Sequence, residues 1–166
     1  MNGHPTLDTY QPKPPVATPA EKPSQGNDQV LGSLVTLTQS IEFVCSATDL
    51  YDVLVNPQKV RVWSRGSVLD VPRAGQEFKL FDGNVVGQWK ELVPGEKIVM
   101  TWRLKSWPSG HFSLVTLGFV QGSESTTLKL SQKDVPIGIK DLTDKNWRQY
   151  YWNAIMTSFG YGAHFG

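Results

Sequence analysis

"DKNWRQYYWNAIMTSFG", residues 144–160, decides how the rest of the chain must fold. Trp147, Tyr151, Ala154, Ile155 and Ser158 recur at the three- and four-residue steps of one helix face. Trp152, Met156 and Phe159 widen that face until its apolar arc is too broad for a helix resting on one flat surface. Such a helix has to be embraced on more than one side. Thr143 or Asp144 is the expected cap, because a short oxygen-bearing side chain can accept the first free N–H groups. Gly160 is the expected stop, since helices often end on a residue in the left-handed region.

The segments upstream read as the embracing surface. "KIVMTWRL" (97–104) alternates, with Ile98, Met100, Trp102 and Leu104 on one face and Lys97, Thr101 and Arg103 on the other. "HFSLVTLGFV" (111–120) and "STTLKLSQK" (125–133) form a further pair. Before them come "VVGQWKELV" (85–93) and "QEFKLF" (76–81), separated by Asp82-Gly83-Asn84, and "SVLDV" (67–71), ended by the turn "PRAG". Pro94-Gly95 suits the two centre positions of a type II turn. "SLVTLTQSIEFV" (33–44) is the first strand. In "SATDLYDVLVNP" (46–57) the period changes to helical: Ser46 and Asp49 make a capping-box-like start, and Leu50, Val53 and Leu54 share a face. Asn56-Pro57 ends that helix and starts a second, "PQKVRVWSRG", which stops near Gly66. The order is strand, two short helices, about six strands, long helix. It predicts an α+β fold in which a curved antiparallel sheet wraps around the last helix.

Composition narrows the function. The chain has 166 residues and a formal net charge of +1, from 16 Lys and Arg against 15 Asp and Glu. That balance gives no electrostatic case for nucleic acid or an anionic membrane. No apolar run approaches the ~20 residues of a membrane span. Cys45 is the one cysteine, so no internal disulfide can form, and a reducing, cytoplasmic location is the default expectation. Residues 1–30 hold six of the 11 prolines and one aromatic, Tyr10. They read as a Pro-rich linker or tail, and residues 31–166 as the folded domain.

Few residues point to chemistry. Cys45 has no histidine close in sequence to activate it and reads as a buried thiol. His4, His111 and His164 lack metal-ligand spacing. There is no nucleophile elbow, phosphate loop or dinucleotide fingerprint. No catalytic residue, cofactor or metal is expected. Trp89, Trp102, Trp147 and Trp152 either fill the space between sheet and helix or line an apolar cavity there. Trp107 stands in the turn "KSWPSGH". It is either an exposed anchor beside Arg103, Lys105 and His111, whose strand face should point to solvent, or a lid folded back over the core.

"FDGNVVGQW", "LVPGEKIVMTWRLKSWPSGHFSLVTLGF" and "NWRQYYWNAIMTSFGYGAHF" closely resemble the C-terminal domain of activators of the heat-shock protein 90 ATPase. The resemblance covers about residues 33–165. It implies a helix-grip fold, similar to the START and birch-pollen-allergen superfamily. It also implies a co-chaperone role. Full-length members resemble two-domain proteins whose N-terminal domain carries an N-N-W-H-W stretch that is missing here. Their C-terminal domain engages the chaperone's N-terminal ATPase domains. The chain then reads as the second of two contacts, as an excised half or a short single-domain relative, with residues 1–30 as the linker. Heat-shock protein 90 is the partner implied, and a monomer is expected. Arg103, Lys105, Trp107, His111 and, in the terminal "FGYG", Tyr161 are the candidate contact residues. The rival reading is a helix-grip domain that holds a hydrophobic small molecule or lipid.

Overall fold

The structure, a computed structural model, describes residues 32–162. The Pro-rich segment 1–30, His4 and His164 lie outside the described residues. Strand β1 (Leu34–Phe43) leads into helix α1 (Ala47–Val55). The Ser46 hydroxyl accepts from the Asp49 N–H at 3.0 Å, satisfying one of the orphan donors of the first turn. Asn56 then does two jobs. Its N–H closes α1 on the Asp52 carbonyl, and its side chain accepts from the Gln58 N–H to open α2 (Pro57–Trp63). Pro57 at the first position loses nothing there, because that N–H would have no helical partner.

A meander of five strands follows: β2 (Glu77–Leu80), β3 (Val85–Val93), β4 (Lys97–Leu104), β5 (Ser113–Gln121) and β6 (Thr126–Pro136). All pair antiparallel, and β1 returns beside β6, giving the order β1-β6-β5-β4-β3-β2. The expected turn at Pro94-Gly95 is present, with Gly95 at a φ of 74°. One expected strand is missing. Ser67–Val71 keeps the side-chain alternation of extended chain, with Ser67 and Leu69 buried and Val68 and Asp70 exposed, but it joins no ladder. Its tie is a side-chain bond, from the Phe81 N–H to the Ser67 hydroxyl at 2.8 Å. The sheet therefore has six strands in all.

The chain closes in a helix running through α3 (Lys140–Asn146), a π-helical segment (Trp147–Trp152) and α4 (Asn153–Phe159). It starts four residues earlier than expected, behind a short 3₁₀ turn, Ile137–Ile139. Neither expected cap is a cap. The Thr143 hydroxyl donates back to the Ile139 carbonyl at 2.7 Å, and the Asp144 carboxylate accepts from Gln39. Gly160 does end the helix, at a φ of 72°. Widening one turn to the i→i+5 pattern shifts the phase of the apolar stripe. Trp147, Tyr150, Tyr151 and Trp152 can then all be buried. The inward faces of all six strands bury their apolar residues on the same side as this helix, which is the expected helix-grip arrangement.

Candidate functional site

The space between helix and sheet is filled. Trp89, Trp102, Trp147 and Trp152 are all buried. Trp147 stacks on Trp102 at 5.2 Å and on Trp152 at 5.4 Å, with Tyr151 tilted against it at 4.3 Å. Three of the four indole N–H groups are satisfied inside. Trp147 donates to Gln132 Oε1 at 2.7 Å, Trp152 to Gln39 Oε1 at 2.6 Å, and Trp102 to the Tyr151 hydroxyl at 3.1 Å. The ladder continues outward. Gln132 donates to the Ser113 hydroxyl at 2.9 Å, and Gln39 donates to Asp144 Oδ1 at 2.8 Å. Burial pushes the Tyr151 hydroxyl far above its ordinary pKa, so it stays protonated. A void of about 20 Å³ remains, lined by Leu54, Trp63, Leu80, Trp89, Trp147 and Tyr151 among others. That is room for one water. Trp102 and Trp152 do not line it. Of the two readings of the four tryptophans, the structure has the core. Gln39 and Gln132 were missed as members of this core. Their signal was a polar residue at the inward register of an alternating strand, as in Leu37-Thr38-Gln39 and Leu130-Ser131-Gln132.

The loop after β4 corrects the picture of an exposed anchor. Trp107 is 4% exposed. It packs edge-on against Trp102 at 5.7 Å and carries the His111 ring on its outer side at 5.5 Å. Covering the open end of a core made of indoles removes enough apolar surface to offset a buried Nε1 that finds no partner. Trp107 is a lid. Arg103 was expected to point freely to solvent, and it does not. Its guanidinium folds over the loop, donates to the Trp107 carbonyl and lies 5.7 Å above the Phe112 ring. Partial burial lowers its pKa without discharging it. His111 Nε2 bonds to the Asp134 carbonyl at 2.8 Å, tying the loop to the end of β6. Lys105 is the one of the four that stands free in water, in no ion pair among the described residues.

Arg103→Ala should therefore loosen the lid. Loss of a charged donor to loop carbonyls costs about 1–3 kcal/mol. We expect acrylamide quenching of tryptophan fluorescence to rise while the sheet stays folded. Arg103→Lys should not rescue it, because an ammonium lacks the planar group that lies over the Phe112 ring while one nitrogen reaches the carbonyls. Unchanged quenching in Arg103→Ala would show that the clamp is idle.

Tyr161 is not part of this cluster. Its carbonyl accepts from the Val44 N–H at 2.8 Å, just past the end of β1, and its ring stacks on Phe159. The Arg103 loop meets β6 at Asp134, beside the start of β1, where Val35 pairs with Val135. β1 has 10 residues, so the two places are roughly 30 Å apart along the strand. The five candidate contact residues form two sites.

Cys45 is half-buried, and its pKa is pushed from the ordinary 9.0 up to about 11, by burial first and by the Asp49 carboxylate second. The thiol is inert at neutral pH. We expect alkylation by iodoacetamide to rise about tenfold per pH unit from pH 8 to pH 10, with no plateau near pH 8.5. A plateau there would contradict the burial. The folded state holds this proton more tightly than the unfolded chain does. The thiol's contribution to stability is thus complete below pH 9 and lost as pH climbs through about 11.

Among the described residues, no group of three or more His, Cys, Asp and Glu could hold a metal ion, and no helix is long and apolar enough to cross a membrane. Three comparisons bear on this geometry. Residues 45–159 match the family model described as Activator of Hsp90 ATPase homolog 1-like protein. The chain is 42% identical over 128 residues to an uncharacterized protein of Schizosaccharomyces pombe, covering 76% of this chain and 38% of that one. It is 34% identical over 165 residues to human "Activator of 90 kDa heat shock protein ATPase homolog 1", covering 97% of this chain and 47% of that one. The chain thus spans less than half the length of these relatives. Its fold superposes with a TM-score of 0.71, at 25% identity, on the crystal structure of an HSP90 activator from Plasmodium falciparum, covering 77% of this chain and 98% of that one. With a filled helix-grip core and a match across most of its folded residues, the chain belongs to the Activator of Hsp90 ATPase homolog 1-like family.

Proposed function

We propose that this chain is a regulatory binding domain, not an enzyme. It docks on heat-shock protein 90 in the cytoplasm, chiefly on the N-terminal ATPase domains, and favours their ATP-hydrolysing state. The observation that carries the reading is the family match over residues 45–159, in a family described by its activation of that ATPase. The packed interior supports it from the other side. Among the described residues, the void of about 20 Å³ between helix and sheet accepts no lipid or steroid, so the interior lends the rival reading of a small-molecule carrier no support. Relatives are more than twice as long as this chain's match to them. A second contact through such an extra region would raise effective concentration, so this chain by itself should activate weakly. The test is ATP turnover. The chain by itself should hydrolyse none. Added in excess to the full-length chaperone, it should raise turnover, and saturating chain without any effect would overturn the activating role.

A further inference from the structure

With Trp107 buried, the exposed apolar groups beside it lie on the outer face of the sheet. An open groove of about 750 Å³ runs there between the Val68 loop and strands β2–β4, with Val86 in its floor and Phe112 on its rim. Val68 is 73% exposed, Phe112 40% and Leu114 37%. The register sets cations around them. Lys79 pairs with Val86, and Val86 with Arg103, in one row across the sheet. In the next row, Thr101 pairs with Leu114, and Leu114 with Lys133. Alternation puts Lys129 on the same face as Lys133. The ion pairs among the described residues are Lys59–Asp52, Lys97–Glu91 and Arg148–Asp144, so none of these cations is in an ion pair with a described residue. Carboxylates share this side: Asp70 and Glu77 line the groove at its β2 end, Glu91 is held by Lys97, Asp134 lies beyond Lys133, and Glu42 on β1 accepts from the Ser125 hydroxyl. Past the two groove carboxylates, the outer face from β4 to β6 thus carries an excess of positive charge, in Arg103, Lys129 and Lys133.

We propose that this groove and the outer face of β4–β6 form the docking surface, and that its occupant is an acidic segment of the chaperone that sets an apolar side chain beside Val68 and Phe112. The inference rests on the reading of the chain as a chaperone-binding domain. The arrangement is that of an interface, an apolar centre with charges around it. The partner's carboxylates lie over Arg103 and Lys133, away from Asp70 and Glu77. The cations act mainly on encounter rate, and the apolar contact acts on residence time.

The test compares variants by stopped-flow and equilibrium binding to the isolated N-terminal ATPase domains. Lys79→Glu with Lys133→Glu changes the face. Arg61→Glu with Lys145→Glu makes the same change in net charge on the helical side. Val68→Glu blocks the groove at a side chain that supports nothing inside. All these positions are exposed, and far-UV circular dichroism should match the parent. We expect the Lys79/Lys133 pair to weaken binding by about tenfold or more, mostly through slower association and with a flatter salt dependence. Val68→Glu should speed dissociation by about fivefold or more, and the Arg61/Lys145 pair should stay within about twofold of the parent. Parental binding by the face variants, or equal weakening by the control pair, overturns the proposed surface while leaving the binding function standing. A parent chain that does not bind at all overturns the function and the surface together.

Discussion

Trp147→Ala should cost about 3–5 kcal/mol of stability, the usual range for truncating a fully buried Trp. Trp147 is completely buried and touches Trp102, Tyr151 and Trp152. Its removal opens a cavity between the last helix and the sheet. It also leaves Gln132 Oε1 without its 2.7 Å donor, in a place water reaches poorly. A domain of this size has roughly 5–15 kcal/mol to lose, so the variant approaches unfolding at ambient temperature. Its Tm should fall by roughly 10 °C or more. Added indole should restore part of the loss by filling the apolar cavity. A fall corresponding to less than about 1 kcal/mol would mean that the aromatic stack is not what holds helix to sheet.

Gly87→Ala comes next in size, and its sign is opposite to intuition. Replacing a glycine by alanine in extended chain ordinarily stabilises by about 0.4–1 kcal/mol, because the unfolded state loses freedom. At Gly87 a Cβ would sit 1.9 Å from the Thr101 carbonyl oxygen and 2.7 Å from Phe78 Cζ. The first of these is backbone and cannot swing aside. β3 would have to part from β4 where Gly87 pairs with Trp102. We expect a loss of about 3 kcal/mol, with fast amide exchange spreading through β3 and β4. Gly118→Ala is the matched control, since nothing lies within 4 Å of its would-be Cβ. That variant should be neutral or slightly stabilising. Equal stability of the two variants would show that the β3–β4 approach is looser than drawn.

The devices that were legible in the sequence act within three or four residues. Ser46 on Asp49, Asn56 at the joint of two helices, Pro94-Gly95 and Gly160 all carry their geometry in their own side chains or φ angles. What could not be read there depends on distant partners. Ser67–Val71 alternates like a strand, but it joins no ladder and is tied to the end of β2 by a side-chain bond instead. Thr143 and Asp144 look like caps, but Ile139 and Gln39 claim their oxygens. The π-helical turn follows from fitting four neighbouring aromatics into one concave sheet, which 3.6-residue spacing does not announce.

The candidate site divides in the same way. Trp107 stands in a turn, and turns usually lie on the surface. Its burial was decided by Trp102 beneath it and Arg103 across it. Lys79 and Lys133 belong to different strands that only the register brings to one face, and Phe112 stands in the loop just before β5. Tyr161 follows the last helix, and the fold sends it to the opposite end of β1 from the loop.

The central claim, that this chain is a chaperone-binding domain, is tested most directly by calorimetric titration of the chain into purified N-terminal ATPase domains of heat-shock protein 90, at low and at physiological salt. The account predicts saturable binding that weakens as salt rises. No heat and no saturation at either salt concentration, with the chain folded by circular dichroism, would contradict it.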